Sequence, residues 1–269
     1  MPLTGSKCGA RQGERWRVIL SGKHALVTGG GTGIGLAIAR ILAGAGAVGT
    51  ITGRRIAPLQ TAASQTANLF PQAMDVSVEA SVRDGIALAA AQRGPVAITI
   101  ANAGIAEGGA FAKLTLPDWQ RLMATNLDGA FVTIQAALAT LPQGHWGRVI
   151  AVSSIAGLRG LKGAASYTAS KHGLIGLIRA LSEEYIGGPV TFNALCPGYV
   201  DTDIVQTQIQ KTMARKGASL ADATAYFAAG NRHNQLLQAD EVAAATLWLC
   251  SDGSRSINGQ AIEIAGGQV

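Results

Sequence analysis

From His24 onward the chain alternates short apolar runs with longer amphipathic ones. The short runs fall at residues 25–27, 48–52, 96–100, 149–152, 190–195 and 261–264, with a weaker one at 70–74. Several are apolar throughout rather than alternating, the pattern of a strand covered on both faces. Between them lie helical patterns at 34–45, 58–67, 78–92, 116–141, 164–185 and 241–249. In the fifth of these, Leu174, Leu177, Ile178 and Leu181 follow the i, i+3, i+4, i+7 spacing of a core-facing stripe. Such alternation predicts an α/β fold: a doubly wound parallel sheet of about seven strands with helices on both faces. No linker or composition break divides residues 23–269, which read as one domain. Only 201–238 interrupts the alternation. It is polar and long enough for a small helical lid.

Composition agrees with a large buried core. Of 269 residues, 48% are hydrophobic and only 14% charged, which argues against disorder. The net charge of +6 raises the question of nucleic acid. However, Lys7, Arg11, Arg15, Arg17 and Lys23 face the single Glu14 near the start, a local +4 that leaves +2 for the remainder. The basic footprint of a nucleic-acid binder is therefore missing. Residues 1–22 are expected to be a flexible extension, since Val18-Ile19-Leu20 is too short for a signal-peptide core. No stretch reads as a membrane span. Cys8, Cys196 and Cys250 are far apart with no histidine cluster, so neither a disulfide framework nor a metal site is expected, and a reducing cytoplasm is the default compartment.

Candidate chemistry begins where the first strand runs into Thr28-Gly29-Gly30-Gly31-Thr32-Gly33-Ile34-Gly35 and then a helix. Glycines in this strand–turn–helix context let backbone amides approach a pyrophosphate at a helix N-terminus. Tyr167 and Lys171 lie four apart in a predicted helix and so share a face. A nearby ammonium favours tyrosinate, and is expected to draw the tyrosine pKa down toward the working range. Ser154 stands at the end of the fifth strand, thirteen residues before Tyr167, at the sheet edge where doubly wound folds bind ligands. His172 points about 100° away from Lys171 and reads as structural.

The glycine spacing T-G-x-x-x-G-x-G resembles that of the short-chain dehydrogenase/reductase family, and further motifs follow in family order. Asp75-Val76 follows the third strand, Asn102-Ala103-Gly104 the fourth, and Asn126 lies in Thr125-Asn126-Leu127-Asp128-Gly129. Ser153-Ser154, Tyr167 with Lys171, and Pro197-Gly198 complete the series over about residues 22–269. The resemblance implies a Rossmann-like domain binding a nicotinamide cofactor. Its cradle would be Gly29, Gly31, Thr32, Gly33, Ile34 and Gly35. Asp75 and Val76 would meet the adenine. Asn102, Ala103 and Gly104 would close the pocket, and Pro197, Gly198, Val200 and Thr202 would lie at the nicotinamide, with Thr202 bonding its carboxamide. Tyr167 would transfer the proton, Ser154 would polarise the carbonyl, and Lys171 would tune Tyr167 and hold the ribose. Asn126 would anchor a water reaching Lys171. The implied reaction interconverts a ketone and a secondary alcohol.

The second strand ends Thr52-Gly53-Arg54-Arg55, with no acidic residue to meet a ribose 2′-hydroxyl. Two guanidinium groups suit a 2′-phosphate, so NADP(H) is favoured over NAD(H). Lys211, Arg215, Lys216 and Arg232 in the lid, with Arg159 and Lys162 before Tyr167, suit an anionic carrier such as coenzyme A or acyl carrier protein. That matches the 3-oxoacyl reductases the chain resembles, although a sugar, polyol or simple ketone fits the same motifs. A nucleotide-sensing protein without turnover is the remote alternative. The family also implies a homotetramer or homodimer.

Overall fold

A computed structural model describes residues 19–268. Among them seven strands form one parallel sheet in the order β3-β2-β1-β4-β5-β6-β7. The strands are β1 (His24–Thr28), β2 (Val48–Gly53), β3 (Leu69–Ala73), β4 (Val96–Ala101), β5 (Gly147–Val152), β6 (Val190–Pro197) and β7 (Ala261–Ile264). The helices are α1 (Gly33–Gly44), α2 (Ile56–Ser64), α3 (Glu79–Arg93), α4 (Leu116–Met123), α5 (Gly129–Thr140), α6 (Ala165–Glu184), α7 (Asp203–Lys216), α8 (Leu220–Ala228) and α9 (Ala239–Leu249).

Unbroken apolar strands follow from two covered faces. Ala25 and Val27 of β1 pack with Ile38 and Leu42 of α1 and Val242 of α9. Leu26, between them in sequence, packs on the other face with Val82 and Ile86 of α3 and Ala137 of α5. Further along that face, Leu174 and Ile178 of α6 meet Val149, Ala151 and Phe192. The core is therefore two layers pressed on one sheet, each fully buried branched side chain contributing about 1.5–3 kcal/mol. Pro71 sits in β3 at the sheet edge, where a strand tolerates a residue that cannot donate.

The strand order reverses between β1 and β4, which opens a crevice at the strands' C-terminal ends. The glycine loop, the turn after β4, the turn after β5 and the turn after β6 all converge there.

Two sequence expectations change. The single helix expected over 116–141 is α4 and α5 joined by a π-helical turn, Ala124–Asp128. Its wider winding carries Asn126 inward, where it is 1% exposed. Of the extension expected over 1–22, residues 1–18 lie outside the described residues. Leu20 already belongs to the folded domain: it is buried, and its amide donates to Ala45 O at 2.8 Å. The lid region holds α7 and α8, which share a small core of Val205, Ile209, Ala223 and Phe227.

Candidate active site

The crevice holds a cavity of about 260 Å³. Its near wall is the glycine loop. Thr28, ending β1, accepts from the amides of Asn102 and Ala103 at 3.0 Å each and donates to Ile100 O at 3.2 Å. Asn102 Nδ2 returns the link, donating to Thr28 O at 2.8 Å. These bonds lock the turns after β1 and β4 together. Gly29 adopts φ +65, and a side chain there would strike Asn102. A Cβ on Gly35 would collide with Gly29 O and stand 2.5 Å from Asn102 Nδ2.

Helix α1 begins here with no side-chain cap from Thr32 and no acidic residue in its first turn. Its first amides, which have no partners within the helix, are left to face the cavity beside Thr32, Gly33, Ile34 and Gly35. Uncapped amides, a positive helix end and a loop that excludes side chains fit a pyrophosphate-bearing dinucleotide.

The opposite wall carries the titratable groups. Ser154 follows β5, is buried, and accepts from the Ala156 amide at 3.1 Å. Tyr167 lies in the first turn of α6 and Lys171 one turn on. Lys171 is 4% exposed; its Nζ donates to Val152 O at 2.8 Å and stands 5.7 Å from the Tyr167 ring centroid. Burial pulls the Lys171 pKa down from 10.5 to about 8.

For Tyr167 the outcome differs from the sequence expectation. Burial raises its pKa, and the hydrogen-bonding influence of Ser154 opposes that only in part. Desolvation of the phenolate, reinforced by the neighbouring Tyr199, keeps the phenol protonated at neutral pH.

Asn126 reaches the site from behind. Its Oδ1 accepts from Ile105 N at 2.8 Å, and its Nδ2 donates to Ile105 O at 3.0 Å and Ser170 Oγ at 3.1 Å. Ser170 in turn donates to Tyr167 O at 2.8 Å. Asn126 thereby ties the turn after β4 to the helix bearing Tyr167. Ser153 does similar work, its Oγ donating to Lys171 O at 3.1 Å.

Of the residues singled out in sequence, the cavity is lined by Gly29, Thr32, Gly33, Ile34, Gly35, Asn102, Ala103, Gly104, Ser154, Tyr167, Lys171, Pro197, Gly198, Val200 and Thr202. Gly31 packs instead toward Leu59 of α2. Arg54 and Arg55 are exposed just beyond β2, and Arg55 opens α2. Asp75 stands beyond β3, where burial would raise its pKa, but hydrogen bonds from Ser77 and the charge of Arg54 take it below the usual carboxylate range. The neighbouring Val76 backs onto Gly129. Thr28 escaped sequence reasoning because a threonine ending a strand carries no chemical signal. Ile204 and Val205 also line the cavity, from the first turn of α7. The lid cations do not converge: Lys211 and Arg215 are exposed, and Lys216 lies over Tyr226 at 4.6 Å.

Residues 23–213 match the family model for short chain dehydrogenase. The chain belongs to the short-chain dehydrogenase/reductase family, as the glycine loop and the Tyr167–Lys171 pair imply. It is 33% identical over 256 residues to a D-beta-hydroxybutyrate dehydrogenase of Cupriavidus necator, spanning 93% of this chain and 99% of that one. It is 34% identical over 251 residues to an acetoacetyl-CoA reductase of Rhizobium meliloti, spanning 91% and 97%. A crystal structure of an actinorhodin polyketide ketoreductase variant with NADPH superposes with TM-score 0.87 at 31% identity, covering 91% of this chain and 96% of that one. The protein is thus an oxidoreductase with ketoreductase relatives.

Proposed function

We propose that this protein is an NADP(H)-dependent ketoreductase that interconverts a 3-oxoacyl compound and its secondary alcohol, with Tyr167 as the proton donor. The observation that carries this is the meeting of Ser154, Tyr167 and Lys171 with the uncapped start of α1 around one cavity. The bound nicotinamide would supply the hydride. Gly33, Ile34 and Gly35 would hold its pyrophosphate through backbone amides, and Thr202 would bond its carboxamide. Arg54 and Arg55, with no acidic residue ending β2, support a 2′-phosphate and so NADP(H) over NAD(H).

Ser154 would orient the substrate carbonyl and Tyr167 would protonate its oxygen. A phenol with a raised pKa carries its proton at neutral pH and so is available as a donor, although it is a weaker acid than a free tyrosine. Lys171, still mostly protonated at neutral pH, would stabilise the phenolate that remains after transfer. Asn126 and Ser153 would keep α6 in register with the cavity.

Relatives named for a hydroxybutyrate and for an acetoacetyl-CoA support the 3-oxoacyl class. Scattered lid cations lend limited support to a coenzyme A or acyl carrier protein tail. Half-exposed Phe131 on α5 and Trp248 on α9 support self-association as a homotetramer or homodimer. Cys196 and Cys250, both buried thiols, suit a reducing cytoplasm.

The test is nicotinamide oxidation over acetoacetate, its methyl ester, acetoacetyl-CoA, keto-sugars and simple ketones, with NADPH and NADH compared. Turnover of the 3-oxoacyl compounds with higher kcat/KM for NADPH is the expected result. Turnover confined to sugars, or a clear preference for NADH, would replace the corresponding part of the reading.

A further inference from the structure

Strand β6 ends at Pro197, and the turn after it lines the cavity through Pro197, Gly198, Val200 and Thr202. Pairing with β7 carries the backbone as far as Gly198, whose amide donates to Ile264 O at 2.9 Å. At Tyr199 a side chain takes over. Asn231, which follows α8 at the base of the lid, is 1% exposed. Its Oδ1 accepts from the Tyr199 amide and its Nδ2 donates to Tyr199 O, both at 2.9 Å. The second Nδ2 hydrogen goes to Gln235 O at 2.7 Å. The side-chain amide thus meets both backbone groups of Tyr199, as a residue opposite it in an antiparallel ladder would. Exchanging its oxygen and nitrogen would set the oxygen against two carbonyls, so the three partners allow one orientation only.

The chain around this contact is shaped to it. A Cβ on Gly198 would fall on Asn231 Oδ1, although Gly198 is not among the glycines with positive φ. The side chain missing at 198 is therefore space given to Asn231. Gly230 lies under the Tyr199 ring, where a Cβ would strike it. Tyr199 O has a second donor in the Leu237 amide at 2.9 Å, but the Tyr199 amide is met by Asn231 alone among the described residues.

We propose that Asn231 is a positioning residue for hydride transfer: through Tyr199 it fixes the wall at residues 198–202 against which the nicotinamide would lie beside Tyr167. This rests on the ketoreductase reading and gives the base of the lid a part in the chemistry. Reacting groups misplaced by an ångström lose much of their rate. The pyrophosphate would be held separately, at the start of α1, so loosening residues 198–202 acts on the hydride step and leaves cofactor affinity nearly unchanged.

The test follows NADPH absorbance in single turnovers, with the ketone the parent reduces best, in the parent, Asn231→Ala and Asn231→Asp. In Asn231→Ala the hydride rate should fall roughly 30-fold, with the NADPH Kd within about threefold of the parent's. The emission of bound NADPH, which needs no turnover, should fall too, because a looser wall leaves the excited nicotinamide freer to relax. Asn231→Asp separates placement from folding. A neutral carboxyl can accept from the Tyr199 amide and donate to one carbonyl, whereas an ionised one sets a buried charge against Tyr199 O and Gln235 O. The flanking titratable groups are engaged elsewhere: Arg232 Nε donates to Gln268 O, and His233 Nδ1 accepts from the Gln235 amide. The hydride rate of Asn231→Asp relative to the parent should therefore climb roughly tenfold as pH falls from about 8 to about 6. A hydride rate or an emission unmoved in Asn231→Ala overturns the proposal, as does a Kd that weakens as much as the rate falls. A rate ratio for Asn231→Asp that is flat with pH also overturns it, and this variant decides the matter where Asn231→Ala does not fold. A parent that reduces no ketone overturns the ketoreductase reading itself, and the emission of bound NADPH then judges Asn231 separately.

Discussion

On the glycine-loop side of the cavity, Thr28 at the end of β1 joins three backbone groups of β4 and the turn after it, and Asn102 answers it across the same gap. On the lid side, α7 and α8 rest on a four-residue core of their own. They join the sheet through the Val200–Leu237 bridge and the Asn231 clamp on Tyr199. On the proposed reading, the dense side would hold the cofactor and pass the proton, whose positions tolerate little error. On the same reading, the sparse side would meet the substrate, where exposed cations such as Lys211 and Arg215 leave room for adaptation. Rigid strand ends would then hold the chemistry, and the more loosely tethered α7 and α8 would choose what undergoes it.

That contrast can be broken at graded points. The largest effect should come from Tyr167→Phe, which removes the proton donor and should lower kcat roughly 1000-fold, measured in steady state with NADPH saturating. Near-parental kcat would remove Tyr167 from the mechanism. Lys171→Met should cost about 100-fold in kcat without lowering Tm at neutral pH. The unfolded chain holds that proton up to 10.5 and the folded one only to about 8. Below about 8 the buried ammonium therefore opposes folding, and the opposition fades as pH rises from there to 10.5. A Tm several degrees lower would mean that the Lys171–Val152 hydrogen bond outweighs desolvation.

Gly35→Ala should weaken NADPH binding about 30-fold, because its Cβ must displace Asn102 or Gly29. Titration of NADPH fluorescence reads this, and an unchanged Kd would show that the cradle can yield. The smallest effect is expected on the lid. Ser219 caps α8, its Oγ accepting from the Asp222 amide at 3.1 Å. Ser219→Ala should cost the helix about 1 kcal/mol and raise the substrate KM a few fold, with the NADPH KM unmoved. A larger shift in the NADPH KM than in the substrate KM would erase the distinction between the two sides.

Much of the dense side was legible in sequence, because its demands fall on residue type at fixed spacing. Glycines at 29 and 35, Asn102 and the Tyr167–Lys171 pair all stand where the sheet edge brings them together. The π-helical turn at Ala124–Asp128 was not legible, since the apolar pattern continues across it and one extra residue per turn leaves no mark in composition. The direction of the Tyr167 pKa was hidden for a different reason. A lysine four residues away is visible in sequence, but the depth of burial that raises the Tyr167 pKa is a property of the packed chain. Asn231 was equally hidden, because its part in holding Tyr199 lies in what bonds to it.

The central claim is that Tyr167 acts as a neutral donor beside a lysine that loses its proton near pH 8. It is tested most directly by kcat against pH for ketone reduction and alcohol oxidation in the same enzyme. Reduction should be level below about pH 8 and fall above it, as Lys171 gives up the charge that stabilises the phenolate. Oxidation, which needs Tyr167 to part with its proton first, should rise over the same range. Reduction that stays level or climbs through that pH, with oxidation following the same slope, would contradict the account.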